Sequence, residues 1–169
     1  MVRVGAQVET FPVSELVAEA AHSAGYSLEN RPIALQIDCP PDIGTMSADW
    51  VSVLKVLSEL LSNASKFTEK GVIRVEVRRE KGADGEVIKF TVADTGCGIA
   101  GDWLEWIFEP FAIRKFYNNR NGVGLFIFHQ ICQLMGGVVG VTSEVGKGST
   151  FTMTLPAATS PSRRSAGPP

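Results

Sequence analysis

The sequence of 169 residues lacks most of the features that announce a partner or a compartment. Its cysteines, Cys39, Cys97 and Cys132, are odd in number and far apart, so they suggest neither a disulfide framework nor a metal-type pair. A reduced, cytoplasmic setting is the resulting expectation. The formal net charge of −2 provides no basic surface for nucleic acid or an acidic membrane. No apolar run reaches the ~18 residues of a membrane span, so no membrane contact is expected. Met1-Val2-Arg3-Val4-Gly5 lacks the charged, then apolar, then small order of a signal segment. Histidine is scarce: His22 and His129 are the only two. There is no internal repeat and no long linker inside residues 1–155.

What is present is an ordinary globular balance of 44% hydrophobic and 20% charged residues, enough for one domain with a sizeable core. That domain is expected over 1–157, followed by a tail or linker over 158–169, with Ser160–Pro169 rich in Pro, Ser and Arg and read as disordered. A short strand over Gln7–Phe11 precedes a helix over Val13–Ala24, whose stripe is Leu16, Val17, Ala20, Ala21 and Ala24. Ile33–Ile37 alternates as a strand. Ser47 is the expected N-cap of a long helix ending near Lys66. Strands over Val72–Arg79 and Glu86–Ala93 flank the turn-rich Lys81–Gly85. Residues 95–121 read as irregular apart from a helical turn near Trp103–Ile107. A helix over Val123–Met135 stops at Gly136-Gly137, and strands over Val138–Ser143 and Thr150–Leu155 close the chain. These elements predict an α/β (α+β) two-layer sandwich, its mixed and mostly antiparallel sheet covered on one face by helices.

Two segments carry polar chemistry. On the long helix, at about 100° per residue, Asn63 lies roughly 40° from Glu59 and Lys66 roughly 20° to its other side, opposite Leu57, Leu60, Leu61 and Ala64. A carboxamide oxygen suits a hard cation, a carboxylate suits a metal-bound water or a proton, and an amine suits a phosphate. The same face is equally that of an ordinary solvated amphipathic helix. In Glu86–Asp94, Ile88, Phe90 and Val92 alternate and Asp94 continues their parity, so its carboxylate points toward the core where the chain leaves the sheet. There it needs donors, of which an adenine amino group is one candidate, although Asp-x-Gly also opens simple turns. Gly96 and Gly98 permit a tight turn and close approach to a planar ligand. Cys97, between them, reads as a small buried thiol rather than an oxidant sensor.

In order along the chain, Glu59-x-x-x-Asn63-Ala64-x-Lys66-Phe67-Thr68, Asp94-Thr95-Gly96-Cys97-Gly98-Ile99, Ile107-Phe108-Glu109-Pro110-Phe111 and Gly122-Val123-Gly124-Leu125-Phe126-Ile127 resemble four motifs of one family. It is the ATP-binding catalytic domain of sensor histidine kinases, with the Bergerat ATP-binding fold. Leu134–Gly137, Ser143, Gly146, Gly148–Phe151 and Leu155-Pro156 fit the end of the same pattern, so the resemblance runs from about Phe11 to Pro156. It implies a protein-histidine kinase fragment, lacking its phosphoacceptor histidine, that binds ATP and Mg²⁺. Asn63 would ligand Mg²⁺, with Glu59 as a second metal-side or catalytic carboxylate, and Asp94 would receive the adenine amino group. Gly122 and Gly124 would bring backbone amides to the phosphates at a helix start. The nucleotide pocket implied by the resemblance also takes in Lys66, Gly96, Gly98, Ile99, Phe108, Arg120, Val123 and Leu125. The implied partners are ATP or ADP, the dimerisation and phosphoacceptor domain of the same kinase and, indirectly, a response regulator; the isolated domain would be a monomer.

The chain departs from that pattern in two places. Arg120 stands where the family's last motif opens with a glycine, and Ala112–Asn121 is short for the family's lid. Arg114, Lys115 and Arg120 make this stretch basic, either to meet phosphates or to keep a loop soluble. Position 59 is Glu where many relatives have Asn, and in related gyrase, MutL and chaperone ATPases a Glu there activates water. Three readings therefore stand: a kinase catalytic domain, an ATP-hydrolysing relative, and a degenerate kinase domain serving as a binding module. Neither His22 nor His129 lies in the family's acceptor context, and both read as structural.

Overall fold

Residues 7–104, 107–108 and 123–158 are described by the computed structural model. In chain order the elements are β1 (Val8–Pro12), α1 (Val13–Leu28), β2 (Ile33–Asp38), β3 (Thr45–Asp49), α2 (Trp50–Phe67), β4 (Gly71–Gly82), β5 (Gly85–Asp94), α3 (Gly101–Leu104), α4 (Val123–Leu134), β6 (Val138–Glu144) and β7 (Gly148–Pro156). The expectations at Arg120, Gly122, the Ala112–Asn121 lid and the tail after Ala158 lie outside the described residues.

Alternation along three strands decides which face of the sheet is buried. Val77 lies opposite Phe90 and Phe90 opposite Met153, while Val75, Val92 and Phe151 make the next row. All six are buried. Between these rows Glu76, Thr91 and Thr152 line the other face in the same register. The strand order is β2-β4-β5-β7-β6, with β2 parallel to β4 and every other pair antiparallel. This is the mixed, mostly antiparallel sheet that the pattern predicts. α2 packs against α1, α4, β4 and β5 through Val53, Val56, Leu57, Leu60, Leu61 and Ala64. Fully burying one such leucine contributes about 1.5–3 kcal/mol, so this helix is a principal source of cohesion between the layers. No helix among the described residues is long and apolar enough to cross a membrane.

Three expectations need correction. The first helix continues past Ala24 and Gly25 because Leu28 supplies one more buried anchor, and it ends where Asn30 turns left-handed at φ 64° ahead of Pro32. The helical turn expected near Trp103–Ile107 starts earlier, at Gly101–Leu104, and Glu105 and Trp106 lie outside the described residues. The third concerns the start of α2. Ser47 is not its N-cap but lies in a strand, β3, which pairs antiparallel with β1 in a separate two-stranded sheet. The Ser47 hydroxyl meets that of Thr10 at 2.7 Å. The cap is Asp49, whose Oδ1 accepts from the amides of Val51 (3.1 Å) and Ser52 (3.4 Å).

Capping by Asp49 predicts that Asp49→Ala lowers stability by about 1 kcal/mol, a fall in Tm of about 2–4 °C for a chain of this size. Ser47→Ala, which removes no donor or acceptor from the helix start, should cost less. Urea unfolding of the two variants followed by circular dichroism checks the order; an equal loss at both positions contradicts it.

Candidate functional site

Strand parity carries Asp94 inward at the last position of β5, and its carboxylate is buried. One oxygen, Oδ1, accepts from the Gly96 amide at 2.9 Å and from the Ser149 amide at 3.3 Å. Burial pushes the Asp94 carboxyl above the usual aspartate range, and the two backbone donors pull partly the other way. Oδ2 accepts no hydrogen bond among the described residues and is not among the buried, unpartnered atoms, so it remains open to a further donor.

The loop after Asp94 is pinned on two sides. The Cys97 amide donates to the Phe67 carbonyl at the end of α2 (3.2 Å), and the Gly146 amide donates to the Cys97 carbonyl (2.9 Å). Gly96 is required here, because a Cβ at this position would overlap the Phe67 carbonyl. Gly98 sits at φ 74°, and a Cβ there would overlap the backbone of Glu144. Among the described residues, the space left by both glycines is thus filled by protein backbone. The Ile99 amide donates to Ser143 Oγ (2.7 Å), which lies 2.8 Å from Ser149 Oγ and donates to the Gly148 carbonyl at 3.0 Å. This small network leads back through the Ser149 amide to Asp94.

The last turns of α2 supply the other half. Glu59 and Asn63 are partly buried on successive turns, and Lys66 is exposed. Among the described residues the Asn63 amide group, Nδ2, is buried without a hydrogen-bond partner, as is the Thr68 hydroxyl. A half-turn of the carboxamide would put Oδ1 in that place instead, so the residue is suited to a cation or to a ligand's polar atom. Among the described residues no group of three His, Cys, Asp or Glu side chains gathers to cage a metal.

Phe108 stacks on His129 of α4 at 5.4 Å between ring centroids and tilts against Phe128 at 6.0 Å. Leu125 and Ile99 are buried. Val123 and Gly124 open α4. Cys97 is exposed, contrary to the buried thiol expected, because the loop is held by its backbone and turns this side chain outward. Cys132, by contrast, is fully buried, and burial pushes its thiol up to about 12. His22 is exposed with its ring edge-on to Tyr26. The residues that sequence reasoning did not place in the site are Ser149, which donates to Asp94, and Arg31, which bonds the end of α2. Ser149 had a signal in the Gly-Ser-Thr-Phe stretch opening the last strand, whereas Arg31 had none.

A family model described as "Histidine kinase-, DNA gyrase B-, and HSP90-like ATPase" matches residues 48–159. The chain is 31% identical over 153 residues to a protein of Rhizobium meliloti (strain 1021) named as an uncharacterized sensor-like histidine kinase, covering 88% of this chain and 29% of that one. It is 36% identical over 135 residues to the autoinducer 2 sensor kinase/phosphatase LuxQ of Vibrio parahaemolyticus, covering 76% of this chain and 16% of that one. Among solved structures, full-length ShkA in complex with AMPPNP matches with a TM-score of 0.81 at 29% identity, over 94% of this chain and 33% of that one. The chain thus spans less than a third of the length of these relatives.

The raised Asp94 carboxyl has a consequence for stability. Relative to a side chain that cannot ionise, it contributes stability that is present below the unfolded-state pKa and lost as pH rises through the higher folded-state value. Asp94→Asn keeps Oδ1 for both backbone donors and removes the charge. Its unfolding midpoint in urea should equal or exceed the parent's at pH 7, with the difference shrinking as pH is lowered toward 4. A variant much less stable than the parent at pH 7 contradicts this account.

Proposed function

The chain belongs to the histidine kinase-, DNA gyrase B- and HSP90-like ATPase family, and on that footing we propose that it is the ATP-binding catalytic domain of a sensor histidine kinase. It would hold ATP and present the γ-phosphate to a histidine on a separate dimerisation domain. The observation that carries this reading is Asp94: a buried carboxylate with one oxygen fixed by two backbone amides and the other open. That is the arrangement required to accept a hydrogen bond from the exocyclic amine of a purine. Gly96, Gly98 and Ile99 would form the rim of the base pocket, with Phe108 and Leu125 on its α4 side.

Asn63 would hold Mg²⁺, with Glu59 one turn before it as a carboxylate for a metal-bound water. When bound, the metal neutralises charge on the phosphates. The chain's own residues would bind and orient: Lys66 and Arg120 would bring positive charge, and the amides of Gly122 and Gly124 would meet anionic oxygens, as a helix start favours. Catalysis in such a site is mainly positioning and charge stabilisation. A second reading, hydrolysis of ATP by the domain itself, is favoured by one observation: Glu59, a partly buried carboxylate, lies one turn before Asn63 on α2. The dimerisation domain, a downstream response regulator and a cytoplasmic location complete the proposal.

Calorimetric titration with Mg-ADP and a non-hydrolysable ATP analogue should show saturable binding at or below millimolar concentration. Asp94→Asn and Asn63→Ala should each weaken it about ten- to a hundredfold, the effect of leaving one buried polar group unpaired. Radiolabelled ATP should put no phosphate on the isolated chain. Absence of binding by either nucleotide overturns the kinase reading, and turnover abolished by Glu59→Gln moves the assignment to hydrolysis.

A further inference from the structure

α2 ends without the glycine that usually terminates a helix, since Thr68 follows in an extended conformation at φ −110°. Its final carbonyls are met instead from more than thirty residues upstream. Arg31 Nη1 donates to Ser65 Oγ at 2.8 Å, and Nη2 donates to the carbonyls of Ser65 (2.8 Å) and Thr68 (2.7 Å). Arg31 has no carboxylate partner among the described residues, so its charge is directed at the negative end of the helix. Its backbone is held as well: its amide donates to the Leu28 carbonyl at 3.0 Å and its carbonyl accepts from Ile33 at 2.8 Å. The guanidinium is therefore offered from a fixed loop, between the left-handed Asn30 and Pro32.

The turn it grips is shared by both halves of the nucleotide site. Phe67, between the two carbonyls bonded by Arg31, gives its own carbonyl to Cys97 in the loop after Asp94. Asn63 lies one helical turn back, with its unpartnered amide. We propose that Arg31 is a positioning residue that fixes the spacing between the metal side of the site at Asn63 and the base side at Asp94. The inference rests on the nucleotide-binding reading above. Arg31 would act through the carbonyls of Ser65 and Thr68 at the end of α2, not as a ligand of nucleotide or metal.

The test compares Arg31→Ala and Arg31→Lys with Asp49→Ala, which weakens the opposite end of the same helix. Mg-ADP affinity by calorimetry and exchange of the Cys97 amide by ¹⁵N NMR are both read on folded protein. Arg31→Ala should bind Mg-ADP about tenfold more weakly, and its Cys97 amide should exchange at least tenfold faster. Arg31→Lys, with a single ammonium in place of the planar fork, should recover part of both effects. Asp49→Ala should lose stability while binding within twofold of the parent. Equal weakening by Asp49→Ala, or parent-like affinity and exchange in Arg31→Ala, overturns the proposal. If Arg31→Ala does not fold, Arg31→Lys decides, with parent-like affinity and exchange counting against. If the parent itself binds no nucleotide, the functional reading fails while the exchange rate still judges the clamp.

Discussion

Taking the Asp94 carboxylate out of water at the inner end of a central strand is costly unless donors meet it, and the surrounding elements are placed by where those donors must be. One donor is local: the Gly96 amide, brought round by a turn that only glycine can make against the end of α2. The other is distant: the Ser149 amide at the start of β7. To supply it, β7 has to lie beside β5 in one register, the same register that sets Phe151 against Val92 and Met153 against Phe90 in the core. Polar satisfaction at one residue and apolar packing along a whole strand thus specify a single alignment. A slip of one residue would turn every core side chain to the open face and leave the carboxylate with one donor fewer.

The helix α2 serves as the common reference for the two halves of the site. Its apolar side is held by the sheet and by α1 and α4, so its axis is set by the core. Its end is set by hydrogen bonds, from Arg31 on one flank and from Cys97 on the other. Functional groups on the last turns are therefore only as well placed as that end is. A residue in a connecting loop, far from any motif in sequence, thereby helps set where that end lies.

What can be read from the chain without the structure follows the range of the forces concerned. Strand alternation and helix stripes are local, and β4, β5, β7, α2 and α4 are all legible from them, as is the inward parity of Asp94. β3 is not: Thr-Met-Ser-Ala-Asp has little intrinsic strand preference, and only pairing with β1 makes it extended. That hidden strand is also why Ser47 looks like a helix cap, two residues before the aspartate that fills the role. Arg31 is invisible for a similar reason, since its three acceptors become neighbours only after α1 and α2 have packed. Cys97 misleads in the opposite direction: its glycine-rich setting suggests burial, while the bonds that hold the loop are all made by backbone.

Where the described chain enters and leaves has its own significance. The Ala157 amide donates to the Glu86 carbonyl at the start of β5, and the Ala157 carbonyl accepts from Ser47 in the strand that pairs with β1. Entry and exit are thus moored at one pole, and Asp94 stands at the other end of β5, about 26 Å away at ~3.3 Å per residue.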